Sequence, residues 1–229
     1  MSNYQELREQ KIHLHNIKME FIMANTSIVC PPLVPEIELY LAHEALPIWQ
    51  KTEEQLGEIG LPPPFWAFAW AGGQALARYI LDNPELVAGK YVLDLAAGSG
   101  LVGIAAMKSG AKKVLASDID TFSLCAIKLN SNLNRVKLER VENDLLDGGT
   151  RPVSVVLVGD MFYEKDLARR CIKWLRRCQN DHESDVLIGD PGRSYLPKDQ
   201  LLKVAEYSVP VSRDLEDAEI KQTAVWRLA

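Results

Sequence analysis

The spacing of apolar positions changes character at about residue 65. From there on, short apolar runs alternate with helical stretches: helix Trp66 to Leu81, strand Tyr91 to Leu95, helix Leu101 to Lys108, strand Lys113 to Ser117, helix Thr121 to Asn134 and strand Lys137 to Glu142. The pattern continues through strand Val153 to Val158, helix Lys165 to Arg177 and strand Asp185 to Ile188. Strands this continuously apolar are buried on both faces, so the alternation predicts an α/β fold around a parallel sheet with right-handed crossovers. The last forty or so residues break the rhythm. A helix near Pro197 to Lys203 precedes two alternating strands, Val204 to Val211 and Ile220 to Leu228, joined by the polar stretch Ser212 to Glu219. That spacing predicts a terminal hairpin and hence an antiparallel strand.

Before residue 65 the pattern is less regular. Cys30-Pro31-Pro32 followed by Pro35 reads as an extended link, because proline cannot continue a helix interior. Pro35 or Glu36 then opens a helix carrying Ile37, Leu39, Tyr40, Leu41 and Ala45, and a second segment runs from Ile48 to Leu56 with Gly57 as its stop. Pro62-Pro63-Pro64 marks a boundary. The expectation is an N-terminal helical extension over residues 1–61 and a main domain over 62–229.

Composition narrows the function classes. The 229 residues are 47% hydrophobic and 25% charged, an ordinary globular balance. Lys and Arg number 26 against 31 Asp and Glu, a formal charge of −5, which lacks the basic footprint of a nucleic-acid binder. No apolar run approaches the roughly 18 to 20 residues of a membrane span. Glu6, Glu9 and Glu20 near the start are unlike an Arg-rich transit peptide and point to a cytoplasmic, prokaryotic protein. Cys30, Cys125, Cys171 and Cys178 form no C-x-x-C pair, and the four histidines show no zinc-site spacing, so reduced thiols and no metal are expected.

The chemistry concentrates at strand ends. Val92-Leu93-Asp94-Leu95-Ala96-Ala97-Gly98-Ser99-Gly100 delivers an acid into a glycine-containing turn before a helix, the place where open α/β sheets bind ligands. The turn alone also allows a ligand-free strand-to-helix corner. A second acid, Asp118, ends the next strand, where a carboxylate can accept both ribose hydroxyls of an adenosine. The first turn lacks G-x-G-x-x-G, and Asp94 would repel a pyrophosphate, so a cationic adenosine ligand suits it better than a dinucleotide. Glu142-Asn143-Asp144 forms a third acid-bearing turn.

Together these turns resemble motif I and its companions in the class I S-adenosylmethionine-dependent methyltransferases, which implies a Rossmann-like seven-strand sheet with a C-terminal antiparallel hairpin. Three further segments narrow the likeness: Pro63 to Gly73 with Trp66, Phe68 and Trp70; Gly159-Asp160-Met161-Phe162-Tyr163; and Gly189-Asp190-Pro191-Gly192-Arg193. From about Phe21 onward the chain is similar to the electron transfer flavoprotein β-subunit lysine methyltransferase group. Among that group's relatives are proteins described as nicotinamide N-methyltransferases.

The resemblance implies S-adenosylmethionine as cofactor, with S-adenosylhomocysteine as product, and a protein substrate, the electron transfer flavoprotein β subunit. It also implies contacts from Trp70, Gly72, Gly73, Asp94, Ala96, Gly98, Gly100 and Gly159 to the cofactor, from Asp118 to its ribose, and from Asn143, Asp144 and Leu145 to its adenine. Ala96 stands where the family's loop has its first glycine, and Leu145 where some relatives have an aromatic. Asp160 and Tyr163 fall at the transfer site, with Trp66 and Phe68 facing substrate. From the residues alone, a helix N-cap is the competing reading of Asp160, and Trp66, Phe68 and Trp70 read as packing. A small-molecule N-methyltransferase of nicotinamide type and a non-catalytic interaction protein are the competing functions.

Overall fold

The computed structural model describes residues 2–42, 63–211 and 219–229. Helix α1 (Ser2–Asn25) is followed by two short strands, β1 (Ser27–Val29) and β2 (Leu39–Leu41), paired antiparallel with Ser27 opposite Leu41. The main body comprises α2 (Ala71–Asp82), β3 (Tyr91–Leu95), α3 (Leu101–Lys108), β4 (Lys113–Ser117), α4 (Thr121–Leu133), β5 (Glu139–Val141), β6 (Val155–Gly159), α5 (Lys165–His182), β7 (Asp185–Asp190), β8 (Leu201–Pro210) and β9 (Ile220–Leu228).

Seven strands form one sheet in the order β5-β4-β3-β6-β7-β9-β8. The first five pair parallel, and β9 runs antiparallel to both β7 and β8. This is the Rossmann-like methyltransferase sheet expected from the sequence. The chain leaves β3 toward β4 and β5, then returns to β6 on the other side, so the order reverses at β3 and opens a crevice at the carboxyl ends there. Val155 to Val158 of β6 are all buried, on alternating faces: Val155 and Leu157 join the core beneath α2, α3 and α4, whereas Val156 and Val158 join the cluster of Trp174, Leu175 and Cys171 of α5. A smaller cluster of Ile22, Trp66, Phe68, Cys125 and Ala126 ties α1 to α4. Among the described residues, no helix is long and apolar enough to cross a membrane.

Three expected elements differ. Residues expected to continue a helix from Pro35 or Glu36 instead form strand β2, because buried Ile37, Leu39 and Leu41 also satisfy a two-residue period. The helix expected to start at Trp66 begins at Ala71: residues 65–67 make a single 3-10 turn, and Phe68 is extended at φ −132°, ψ 147°. Near Pro197 the helix shrinks to a 3-10 turn over Lys198–Gln200, since Leu201 already pairs with Leu228 in the hairpin. The expected helix Ile48 to Leu56 and the boundary at 61/62 lie outside the described residues, as does most of the polar link from Ser212 to Glu219.

Candidate active site

A cleft of about 620 Å³ opens at the carboxyl ends of β3, β4 and β6, within the size range of small-molecule sites. On one side of it the acids are held by backbone amides. Asp94 is 1% exposed, and its Oδ2 accepts the N–H of Gly103 at 2.8 Å. Gly103 lies in the first turn of α3, whose N-cap Gly100 has no side chain to offer, so Asp94 takes the capping role from the preceding strand. Burial, against the opposing effect of that N–H, raises the Asp94 carboxyl to about 7, and the neighbouring Asp118 charge adds to the rise.

Asp118 clasps the turn that Asp94 precedes. Its Oδ2 accepts the Gly98 N–H and its Oδ1 the Asp120 N–H, each at 2.9 Å, while burial moves its carboxyl upward. Two amide bonds leave acceptor capacity on a carboxylate with about four lone-pair sites. Asn130, fully buried, fastens the same turn from behind: its amide donates to Ser99 O at 2.8 Å and its Oδ1 accepts the Tyr40 N–H at 2.8 Å. At the far wall Asp144 accepts the Leu146 N–H at 3.0 Å and pairs with Arg170 at 2.6 Å.

On the other side the contacts come from distant parts of the chain. Asp160 follows β6 with a left-handed φ of 58°. Its side chain is 4% exposed; Oδ1 accepts Arg193 Nε at 2.6 Å and Oδ2 accepts the Gly72 N–H at 3.1 Å. Asp190, at the end of β7, accepts the Gly192 and Arg193 amides through Oδ1, each at 2.7 Å, and its buried Oδ2 has no hydrogen-bond partner among the described residues. Burial, reinforced by the Asp160 charge and opposed by the bonded amides, raises Asp190 to about 6. The mouth is aromatic. Phe65 lies 5.7 Å from Tyr163 and 6.0 Å from Trp70 between ring centroids, and the indole N–H of Trp70 donates to Phe65 O at 2.9 Å.

Comparison with known proteins gives this arrangement a family. A family model for ribosomal protein L11 methyltransferase (PrmA) matches residues 75–158. The electron transfer flavoprotein beta subunit lysine methyltransferase of Danio rerio is 41% identical over 213 residues, spanning 90% of this chain and 81% of the relative. The chain belongs to that lysine methyltransferase family. The Homo sapiens member is 39% identical over 212 residues, 90% of this chain and 80% of its own. A solved structure from Thermoplasma acidophilum superposes with a TM-score of 0.52 at 16% identity, covering 68% of this chain and 88% of its own, and shares the fold.

As a member of the family, the chain is an S-adenosylmethionine-dependent methyltransferase. The residues present fit that cofactor: a cleft of adequate volume, a glycine turn at a helix start, and a strand-end carboxylate with acceptor capacity left. Of the residues anticipated at its site, Phe68, Trp70, Gly73, Asp94, Ala96, Gly98, Asp118, Asn143, Asp144, Leu145, Gly159, Asp160 and Tyr163 line the cleft.

Trp66, Gly72 and Gly100 stand outside the cleft wall. Trp66 is 2% exposed and stacks on Phe122 with centroids 6.0 Å apart. Gly72 packs on β7 so closely that a Cβ there would sit 2.3 Å from Gly189 O, and Gly100 turns at φ 83° against Ile127. Glu164, not Asp160, caps α5, its carboxylate accepting the Asp166 and Leu167 amides. Arg193, Asp190, Phe65 and Asn130 carried no assigned role in the sequence. Arg193 ends the very G-D-P-G-R segment that the resemblance quoted, which was the signal available.

Proposed function

We propose that this methyltransferase modifies lysine side chains of the electron transfer flavoprotein β subunit. The substrate reading rests on the names of relatives that are 36% to 41% identical over most of this chain. The single observation that carries it to this site is Asp160, a nearly buried carboxylate at the cleft beside an aromatic mouth. A cation is what that pairing of charge and rings recognises.

In this reading Asp118 would accept the ribose hydroxyls, Asn143, Asp144 and Leu145 would border the adenine, and the turn at Ala96 and Gly98 would hold the methionine portion. When bound, S-adenosylmethionine supplies a methyl carbon already activated by its sulfonium charge. Asp160 orients the lysine nitrogen for in-line attack, and Phe65, Phe68, Trp70 and Tyr163 hold its stem and limit water. The ammonium proton passes to water at the mouth before attack, because the lone pair must be free. Metal is not part of the proposal. Nor is nucleic acid, given the −5 charge, and the four free cysteines suit a reducing, cytoplasmic setting.

Incubating the purified protein with methyl-labelled S-adenosylmethionine and the flavoprotein β subunit, then mapping label by mass spectrometry, tests the proposal. Label on lysine side chains supports it. Label that accumulates instead on nicotinamide-like bases, or no label on the β subunit, sinks it.

A further inference from the structure

Arg193 stands where the proposed function needs the substrate's ammonium to be. Its Nε donates to Asp160 Oδ1 at 2.6 Å, and its guanidinium carbon lies 6.0 Å from the Trp70 ring centroid. A carboxylate and an aromatic face are the two features that would hold a lysine cation there, and Arg193 engages both. Its side chain is 22% exposed against 4% for Asp160, so the arginine lies nearer the solvent side of the pair.

We infer that Arg193 is a resident cation that an incoming lysine ammonium displaces from Asp160, so that the site admits substrates able to exchange charge for charge. The inference rests on the lysine-methylating reading of the same site. Its physical basis is the cost of a lone buried charge: removing one partner of a buried pair strongly penalises the carboxylate left behind. When one cation replaces another, Asp160 is paired throughout the exchange. A neutral heteroaromatic base offers no replacement and meets a site already filled. Asp190 keeps the exchange confined to a side chain, because it grips the Gly192 and Arg193 amides at 2.7 Å and fixes the backbone from which the guanidinium swings. Arg193 is thus a specificity and positioning residue rather than a catalytic one.

The full-length Arg193→Gln variant tests this by steady-state methylation of the β subunit at about pH 8.5, where lysine is still mainly ammonium. With the competitor removed, KM for the protein substrate should fall about threefold to tenfold, with cofactor affinity unchanged by calorimetry. Arg193→Lys retains a cation and should return KM toward its original value. An unchanged or raised KM in folded Arg193→Gln would make Arg193 a permanent partner of Asp160 and overturn the inference.

Should Arg193→Gln fail to fold, the unsubstituted protein still answers. Its Arg193 Nε–H resonance, assigned by its loss in Arg193→Lys, should shift and exchange faster with water when S-adenosylhomocysteine and saturating β subunit are added. A resonance unmoved in that complex overturns displacement. The two readings fail separately: no label on lysine with the unsubstituted enzyme removes the proposed function, whereas a methylating enzyme with an immobile Arg193 removes only the gate.

Discussion

The two sides of the cleft are built by different kinds of contact. On the side proposed for the cofactor, Asp94 takes the amide of a residue 9 positions away and Asp118 the amides of residues 20 and 2 positions away, and of the three strand-end acids only Asp144, at the far wall, pairs with a charged side chain. On the side proposed for the substrate, Asp160 binds Gly72 across 88 positions and Arg193 across 33, and the charge-bearing partner is a side chain. Local loops between a strand and its own helix repeat one geometry whatever the surrounding sequence. A site assembled from three distant loops depends on the packing of the whole sheet, so, on the proposed assignment, it is the side where substrate contacts can vary independently of the cofactor cradle.

The largest effect should come from the packing that joins the two sides. A Cβ at Gly189 would sit 2.0 Å from Gly72 O, a backbone-to-backbone overlap that no rotamer relieves. Gly189→Ala should cost about 3 kcal/mol or more, read from denaturant unfolding midpoints at constant m. Because Gly72 N–H holds Asp160 and Asp160 N–H bonds Gly189 O, methyl transfer should suffer more than cofactor binding. Equal losses of both would mean that the two sides do not respond separately.

A crossed pair of substitutions sharpens the division. Asp118→Ala should weaken cofactor binding by about 1.5 to 3 kcal/mol, roughly tenfold to 150-fold in Kd by calorimetry, since it removes an acceptor and frees the Gly98 amide. Asp160→Ala should leave that Kd nearly unchanged while lowering kcat/KM by a similar factor in single-turnover assays. Tyr163→Phe should cost less than Asp160→Ala, because its exposed ring survives and only a neutral hydroxyl is lost. Should Asp160→Ala transfer methyl at the original rate while folded and saturated with cofactor, the substrate-side assignment falls.

These contrasts also explain what could be read beforehand. The strand alternation, the hairpin and the acids at strand ends are properties of neighbouring residues, and the sheet follows them closely. Residues 66–70 misled because the helical spacing of the segment that follows was carried back over them, although Trp66, Phe68 and Trp70 recur with a strand's two-residue period. In the fold they diverge, Trp66 into the cluster with Ile22 and Trp70 to the cleft. Strand β2 was obscured because Ile37 and Leu41 fit a helical spacing as well as a strand's. Asn130 was silent, and Arg193 showed only through the quoted G-D-P-G-R segment, for another reason: their partners, the pair Ser99 and Tyr40 and then Asp160, become neighbours only after the sheet closes.

A smaller, pH-dependent effect belongs to the cofactor side. Asp94 is raised from 3.8 to about 7, so the free protein holds its proton between those values. The sign follows: this group's contribution to stability is full below about pH 4 and is lost as pH rises through about 7. If a cationic cofactor favours the carboxylate form, binding near pH 7 should release about half a proton. Calorimetry in buffers of different ionisation enthalpy measures that release directly. Asp94→Asn should abolish it, and no buffer dependence in the unsubstituted protein would separate Asp94 from the cofactor's charge.

The smallest expected effect concerns Ala96, where the resemblance to motif I leads one to expect a glycine. The residue is left-handed at φ 53°, a conformation that crowds Cβ against the following carbonyl and costs an L-residue about 1 to 2 kcal/mol. Glycine removes that crowding but gives the unfolded chain more freedom, which takes back about 0.4 to 1 kcal/mol. Ala96→Gly should therefore stabilise the protein by about 0.5 to 1 kcal/mol in denaturant unfolding, with cofactor Kd within about twofold of the original. The turn is already held just beyond Ala96 by the Gly98 bond to Asp118 and the Ser99 bond to Asn130, so relief of strain at Ala96 has little left to reorganise. A loss of stability would show instead that the alanine methyl packs favourably in the cleft wall and that its side chain, not its backbone, governs the position.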